Sequence, residues 1–362
     1  MITIIGSGLA GYTLVREIRK LDSSVEITLM TQDDGDYYSK PQLSAAFTHH
    51  KTPEQLKLIH AEKFAKQFNI SLQVHTTLTD LDFIDTHQNK VVLAVGSKPI
   101  ILPEFLQLKQ KIYQVNTLND YQIFREACEK NTSKCVTIIG AGLVGCEFAN
   151  DLINGGFQVD LIAPEPYPLA KLVPAEVGSA LHHGLAHHGV QCFFNQFFDA
   201  STPEKYIGRV ILSAVGLQPD IALAKTYGVL TNKGILVDKT LKTNKDNVYA
   251  LGDCVEFNGS IMPYVGPIAI GARALAKTLL GEPTEVVYPL LPVFVKTSCY
   301  PIVSLLPKLE ESGDWNIENQ NTDNQLKSVR ALFYNKKNEL KGFALGGNFA
   351  SEANEWVKLI NP

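Results

Sequence analysis

The sequence lacks any closely spaced pair of cysteines. A dithiol relay needs two sulfurs near enough to bridge, and a structural zinc or iron–sulfur site usually needs paired ligands, so this spacing argues against both. Two cysteines distant in the chain can still meet on folding, but reduced thiols in packed or surface positions are the favoured interpretation. The six scattered cysteines are Cys128, Cys135, Cys146, Cys192, Cys254 and Cys299.

The sequence also lacks an excess of charge of either sign and a long apolar run. Its 362 residues carry a formal net charge of -4, which gives no reason to expect a nucleic acid or an acidic lipid as a partner. Met1 leads into a short apolar run without a charged leader, and no run approaches the length that spans a membrane. We therefore expect a cytoplasmic globular protein of two or three domains.

What the sequence does contain is a glycine-rich turn directly after the apolar run Ile2 to Ile5. In the spacing G-x-G-x-x-G, the first glycine permits a tight turn, the second lets the backbone approach a pyrophosphate, and the third lets the next helix pack on the strand. The helix N-terminus then directs free N–H groups and a positive dipole towards phosphate oxygens. The turn consists of Gly6, Ser7, Gly8, Leu9, Ala10 and Gly11.

The same pattern occurs a second time, which makes the signal specific. Residues Ile138 to Gly145 match Ile4 to Gly11 at six of eight positions. Two βαβ units, each with a dinucleotide site, are therefore predicted. The second turn consists of Gly140, Ala141, Gly142, Leu143, Val144 and Gly145.

An acid at the end of the second strand of such a unit binds the ribose hydroxyls of adenosine. In the first unit Asp33 or Asp34 has this position, with Asp33 preferred, although the segment is also typical of a solvated turn. In the second unit Ala163 ends the strand, Glu165 follows, and no Lys or Arg occurs before Lys171. Because nothing there is placed to bind a 2'-phosphate, NADH is favoured over NADPH.

A pair of histidines, His183 and His187, has the i, i+4 spacing that can hold a metal ion. The sequence indicates no third ligand. Because the polar faces of amphipathic helices often carry histidine, a structural role is favoured and no metal site is predicted.

Periodicity predicts further elements. A strand is expected at 78–83. After Pro289 the sequence changes to alternating apolar and β-branched runs with several prolines, which predicts a separate small α+β domain with a polar loop at 318–325. The further predicted helices are 52–68, 120–129, 175–189, 268–280 and 351–360.

The duplicated turn, a Leu-Ala-Val-Gly strand end at Gly96 and the segment Tyr249–Cys254 together resemble the FAD-dependent pyridine nucleotide-disulfide oxidoreductase superfamily. Within it, the chain is similar to the rubredoxin-NAD(+) reductases of bacterial alkane oxidation, and flavorubredoxin reductases of nitric oxide detoxification are closely similar. Members with a redox dithiol carry it where this chain has Lys40. The segments that carry the likeness are Tyr38–Pro41, Gly142–Asp151 and Val295–Thr297.

The resemblance implies an α/β fold with two Rossmann-like FAD/NAD(P)-binding domains and a small α+β C-terminal domain. The FAD-binding domain is expected to be discontinuous, because residues after about 237 complete it. The expected boundaries are 1–112 and 237–288 for the FAD domain, 113–236 for the NADH domain and 289–362 for the C-terminal interface domain.

The resemblance also implies roles for individual residues. Lys40 and Glu147 are expected to act in catalysis as an ion pair beside flavin N5. Asp253 is expected to bind the ribityl chain, the backbone of Val265 to approach flavin O2, and Lys296 to contact the flavin edge. The other implied cofactor contacts, besides both turns and the two acids after the second strand, are Pro41, Leu78, Gly96 and Gly216.

By this resemblance, hydride passes from NADH to FAD, and FAD passes single electrons to rubredoxin, which binds transiently. The alternatives are an NADH reductase of flavorubredoxin or of a ferredoxin-type carrier, and a non-catalytic nucleotide-binding remnant. The chain is shorter than its relatives between Asp82 and Val91 and between Phe194 and Val210, where they carry β-meanders. Because the binding residues lie outside both segments, function is expected to persist.

Overall fold

A computed structural model describes residues 1–79, 89–108, 110–308, 310–321 and 326–360. The strands are β1 (Ile2–Ile5), β2 (Ile27–Met30), β3 (Tyr37–Tyr38), β4 (Lys57–Ile59), β5 (Ser71–Gln73), β6 (Lys90–Leu93), β7 (Ser97–Pro99), β8 (Ile112–Gln114), β9 (Cys135–Ile139), β10 (Gln158–Ile162), β11 (Gln191–Phe193), β12 (Arg209–Ser213), β13 (Leu217–Pro219), β14 (Ile235–Val237), β15 (Val248–Ala250), β16 (Val255–Phe257), β17 (Ser260–Ile261), β18 (Val293–Val295), β19 (Ile302–Leu305), β20 (Gly313–Asn321), β21 (Lys327–Asn335) and β22 (Leu340–Gly346).

Helices connect most of these strands. The α-helices are α1 (Leu9–Leu21), α2 (Pro53–Leu56), α3 (Ala61–Phe68), α4 (Leu118–Lys130), α5 (Leu143–Asn154), α6 (Ala175–His187), α7 (Ala222–Thr226), α8 (Val265–Leu279) and α9 (Ala353–Ile360). Short segments of 3-10 helix cover Lys40–Ala45, Pro103–Gln107, Pro203–Tyr206 and Gly347–Glu352.

The chain divides into two compact units, each assembled from several segments. The boundaries of the three predicted domains stay a prediction. Unit 1 comprises Met1–Lys40, Glu54–Lys98 and Leu217–Tyr288, and unit 2 comprises Pro41–Pro53, Pro99–Gly216 and Pro289–Pro362.

The core of unit 1 is a parallel sheet in the order β15-β6-β1-β2-β5. All four residues of the central strand β1 are buried, as is typical of a parallel strand covered on both faces. α1 follows β1, buries Leu14, Val15 and Ile18, and packs against α8. Because the chain continues to β2 on one side of β1 and to β6 on the other, the carboxyl end of β1 is the switch point where open α/β sheets bind ligands.

Unit 2 contains a second parallel sheet with the same arrangement around its centre. Its order is β11-β10-β9-β12-β8. The central strand β9 leads into α5 as β1 leads into α1, and α4 begins with a capping box formed by Thr117 and Asp120. The carboxyl end of β9 is therefore a second switch point.

The C-terminal part of unit 2 is an antiparallel sheet in the order β18-β19-β22-β21-β20. One face buries Val303, Phe343 and Leu345 against Phe349 and α9. This element confirms the predicted fold class of two Rossmann-like sheets followed by a small α+β part.

Two of the predicted elements are wrong in part. The helix at 52–68 is interrupted by β4, because pairing with the distant strand β3 overrides the local helical periodicity. An ion pair between Lys57 of β4 and Asp36 at 2.9 Å adds a second contact between the two segments. The polar loop at 318–325 begins as the exposed edge strand β20, which ends at Asn321. Residues 318–321 at the end of this strand are polar and exposed on both faces. They show no apolar alternation, so the sequence alone predicts a loop there.

Other predictions fall partly outside the described residues. Of the strand at 78–83, Leu78 lies in a loop and 80–83 lie outside the described part, as does most of the shortened segment between Asp82 and Val91. Within the described residues, no helix combines the length and apolarity that crossing a bilayer requires.

Candidate functional site

The three glycines of the first turn each meet a different spatial requirement. Gly6 has φ +114°, and a Cβ there would overlap the carbonyl oxygen of Ala94. A Cβ on Gly11 would overlap the carbonyl oxygen of Gly6, so only glycine lets α1 pack this closely. A Cβ on Gly8 would meet no atom within 4 Å. The open space at Gly8 is therefore where a ligand can approach the backbone.

The second turn has the same geometry. Gly140 has φ +102° and lies against the backbone of Ala214, and Gly145 lies against the carbonyl of Gly140. Space beside Gly142 is again open to 4 Å. The duplicated sequence thus produces a duplicated structure in which each glycine has the role that its position predicts.

Both helices that follow the turns begin without a side-chain cap. Gly8 is the N-cap of α1 and Gly142 the N-cap of α5, and neither helix has an acidic residue in its first turn. The first N–H groups of each helix are thus left without an intrahelical acceptor. An uncapped helix start beside open space fits the pyrophosphate of a dinucleotide at both turns.

Asp33 lies beside the first turn, as expected of the ribose-binding acid. Its Oδ1 accepts hydrogen bonds from Ser7 Oγ at 3.0 Å, from Thr31 Oγ1 at 2.7 Å and from the Gly35 backbone at 3.0 Å. Asp34 is exposed and accepts a bond from the backbone of Asp36 at 3.3 Å. The structure thus links Asp33, and not Asp34, to the turn through Ser7.

Asp253 lies in unit 1 close to the charge of Lys40. Burial raises the pKa of the Asp253 carboxyl, while Lys40 and a hydrogen bond from Ser97 oppose that rise. Ser97 Oγ is 3.4 Å from Asp253 Oδ2, a contact that the sequence did not reveal. Gly252, with φ +89°, passes so close to Ala10 that a Cβ would come within 2.9 Å of it. This approach brings the Asp253 segment against the first glycine turn.

The other predicted residues of unit 1 lie at the ends of elements. Gly96 follows β6 with φ +73° and open space beside it. Val265 is the first residue of α8, so its N–H belongs to the set that a helix leaves unbonded. Leu78 packs partly buried against the core. In unit 2, Gly216 follows β12 with φ +123°.

Glu147 of α5 is almost fully buried and is bound by two residues of unit 2. Lys296 donates to it from its backbone N–H at 3.1 Å and from Nζ at 2.8 Å. Ser44 Oγ donates to Glu147 Oε2 at 2.7 Å. Lys296 Nζ also bonds Ser44 Oγ at 3.0 Å and the carbonyl of Pro41. The predicted pairing of Glu147 with Lys40 joins residues of different units and stays a prediction.

Ser44 is the residue of this cluster that sequence reasoning missed. It follows the Tyr38–Pro41 motif by three residues and has no charge or spacing of its own to single it out. The kink of the 3-10 helix at Ser44, with φ -89° and ψ 21°, directs it to Glu147. Only the folded chain shows that a single hydroxyl contacts both members of the ion pair.

Further polar residues on α5 bind the same two segments of unit 2. Asn150 Oδ1 accepts the Cys299 backbone N–H at 3.0 Å. The buried Asp151 accepts the backbone N–H groups of Phe47 at 3.1 Å and Thr48 at 2.7 Å. The helix that begins at the second glycine turn thus holds both the segment after Lys40 and the C-terminal part.

The end of β10 carries no residue arranged for a 2'-phosphate among those described. Lys171 is 92% exposed at its side chain and lies 3.6 Å from Glu165, whose carboxylate offsets its charge. His183 and His187 are exposed on α6. Across the described part of the chain, no group of three or more His, Cys, Asp or Glu side chains is placed to hold a metal ion.

Two parallel sheets, each with an open glycine turn at its switch point, define the class of α/β proteins built to bind two dinucleotides. The chain belongs to the pyridine nucleotide-disulphide oxidoreductase family, which matches residues 1–271. The rubredoxin binding C-terminal domain matches residues 285–360.

Relatives match the chain over almost its whole length. The rubredoxin-NAD(+) reductase of Alcanivorax borkumensis is 42% identical, with 97% of this chain and 96% of the relative covered. The nitric oxide reductase FlRd-NAD(+) reductase of Aliivibrio fischeri is 34% identical over 95% of this chain and 94% of its own. The crystal structure of NADH:rubredoxin oxidoreductase from Clostridium acetobutylicum shares the fold with a TM-score of 0.83 at 20% identity, covering 99% of this chain and 94% of that one.

Proposed function

We propose that the protein is an FAD-dependent NADH:rubredoxin oxidoreductase. The observation that carries the proposal is the rubredoxin binding domain at residues 285–360, which follows two dinucleotide-binding turns in one chain. The 42% identity to a rubredoxin-NAD(+) reductase supports it. FAD is assigned to the first turn and NADH to the second, within the domain boundaries that the sequence predicts.

Bound FAD would accept a hydride from NADH and release electrons singly to an iron protein. The residues of the chain bind and orient the cofactor. In unit 1 the open backbone at Gly8 admits the pyrophosphate, and Asp253 accepts hydrogen bonds from ribityl hydroxyls. The free N–H of Val265 and the dipole of α8 favour negative charge at the flavin ring.

In unit 2 the backbone at Gly142 admits the pyrophosphate of NADH. Glu147 stands one helical turn further along α5, where Lys296 and Ser44 fix its carboxylate. We include in the proposal the predicted ion pair of Glu147 with Lys40 beside the flavin. No side chain has to act as a general acid or base, because hydride transfer needs none.

An NADH reductase of flavorubredoxin is the second candidate, favoured by the 34% identity to the Aliivibrio fischeri relative. The higher identity to the Alcanivorax borkumensis reductase favours rubredoxin as the electron acceptor. With rubredoxin as acceptor, we place the protein in the electron chain of alkane hydroxylation. We place the reaction in the cytoplasm, where NADH is available.

An anaerobic titration tests the proposal. The purified yellow protein should lose its visible flavin band on addition of NADH, and then reduce oxidised rubredoxin with a higher kcat/KM than the rubredoxin-like domain of a flavorubredoxin. A reversed preference would favour the second candidate. A colourless chain that FAD does not reconstitute would leave a non-catalytic nucleotide-binding protein and overturn the proposal.

A further inference from the structure

Ser44 is buried at the point where the carboxylate of Glu147 and the ammonium of Lys296 meet. A serine hydroxyl has one proton to donate and lone pairs that accept. The acceptors within reach of that proton are Glu147 Oε2 at 2.7 Å and the carbonyl of Pro41 at 3.4 Å. The shorter bond is to the carboxylate, so the oxygen of Ser44 remains to accept from Lys296 Nζ at 3.0 Å.

All three donors of the Lys296 ammonium are then used within unit 2. They go to Glu147 Oε2, to Ser44 Oγ and to the carbonyl of Pro41. Glu147 Oε1 receives the Lys296 backbone N–H. Ser44 therefore closes a triangle whose other two corners are the buried carboxylate of Glu147 and the ammonium of Lys296.

From this geometry we propose that Ser44 is a positioning residue for the hydride-transfer step, acting through Glu147. The inference rests on the proposed function. Glu147 is 4% exposed, so water does not readily replace a lost donor. Without the hydroxyl, one bond that fixes the carboxylate and one that fixes Lys296 disappear together, and the Glu147 side chain loses its orientation beside the nicotinamide.

The first experiment measures anaerobic flavin reduction by NADH in the FAD-loaded enzyme. Ser44→Ala should lower the limiting rate about tenfold while the apparent Kd for NADH changes by less than about threefold, as a loss of positioning without loss of binding requires. Ser44→Thr, which keeps the hydroxyl, should restore most of the rate. Ser304→Ala removes another buried hydroxyl of unit 2, which donates to the carbonyl of Leu172, and should leave the rate unchanged.

A double-mutant cycle tests whether Ser44 acts through Glu147. In a Glu147→Gln background, Ser44→Ala should change the limiting rate by less than about twofold, because its target is already lost. The same four chains, freed of FAD, should show melting-temperature shifts that are non-additive by about 2 °C or more, a readout that needs no activity.

The possible outcomes separate the two proposals. If NADH fails to reduce the flavin of the unaltered enzyme, the proposed function falls and this inference falls with it. If NADH reduces the unaltered enzyme but Ser44→Ala keeps its limiting rate within twofold, only the role of Ser44 is overturned. The same holds if the effects of Ser44→Ala and Glu147→Gln on the limiting rate multiply and their melting-temperature shifts add.

Discussion

Asp151 accepts the backbone N–H of Thr48 at 2.7 Å through a side chain that has no exposed surface. Its other oxygen accepts the backbone N–H of Phe47 at 3.1 Å. A carboxylate in the middle of α5 thus fixes the main chain of the segment 41–53, which also carries Ser44. The same helix therefore carries Glu147 and holds the segment whose Ser44 orients it. The orientation of Glu147 and the stability of unit 2 thus both depend on α5.

We expect Asp151→Asn to destabilise the protein more at pH 4 than at pH 8. Burial raises the pKa of Asp151 above its usual value, against the effect of the two backbone donors. A carboxyl group whose pKa is higher in the folded than in the unfolded protein makes its full contribution to stability at pH values below its unfolded pKa of about 3.9. That contribution is lost as the pH rises through the folded pKa. Thermal unfolding at both pH values should show a loss of about 1 kcal/mol at pH 4 that shrinks at pH 8.

Asn154→Ala is the matched control for this substitution. Asn154 bonds Thr48 Oγ1 of the same segment at 3.2 Å but has no ionisable group. Its loss should cost less than about 1 kcal/mol at either pH. A pH dependence equal to that of Asp151→Asn would show that the effect does not come from the carboxyl group.

Two glycines of the second turn should respond in opposite ways to alanine. Gly142→Ala places a methyl group in open space, so the fold should tolerate it, while the KM for NADH should rise about tenfold or more as the methyl obstructs the pyrophosphate. Gly145→Ala overlaps the carbonyl of Gly140 and should lower the melting temperature or prevent folding. Melting curves and NADH kinetics on both variants check this, and an unchanged KM for Gly142→Ala would contradict it.

The sequence was most informative where local chemistry alone decides the structure. The glycine turns, the central strands and the fold class could be predicted, because backbone geometry at Gly6 or Gly140 permits few alternatives. The contacts of Ser44, Ser97 and Lys296 could not, since each pairs with a residue that is distant in the chain. The same limit explains the missed strand Lys57–Ile59, whose pairing with Tyr37–Tyr38 overrides the helical periodicity.

The affinity of the cofactor-free chain for FAD should increase as the pH rises. Burial raises the pKa of Asp253 in the chain without its ligand, whereas hydroxyl donors from a ribityl chain would stabilise the ionised form. Below the raised pKa, binding must therefore release a proton, and affinity falls with the pH. Fluorescence titrations with FAD from pH 4 to pH 8 should show this dependence, and Asp253→Asn should bind more weakly with a flat profile.

Arg330 should be needed for the C-terminal sheet but not for flavin reduction. Its guanidinium bonds both carboxylate oxygens of Glu352, at 3.0 and 2.7 Å, and lies 4.1 Å from the ring centre of Phe349. Lysine keeps the charge but loses this planar fork. Arg330→Lys should cost about 1–2 kcal/mol of stability and raise the KM for rubredoxin, while NADH still bleaches the flavin at the normal rate. A slowed bleaching step would contradict this division.

Thiol-specific reagents should leave electron transfer intact, because none of the cysteines is proposed to carry electrons. All six cysteines are free, and burial raises the pKa of Cys254 to about 12 and of Cys299 to about 11. At pH 8 these groups are therefore protonated and weakly reactive. Cys135 and Cys192 are only partly buried. Because burial raises the pKa of the Cys192 thiol to about 12, Cys135→Ser is the appropriate starting chain. After treatment with N-ethylmaleimide, its rubredoxin reduction should stay within about twofold of the untreated rate. Complete inactivation without unfolding would instead indicate a sulfur relay.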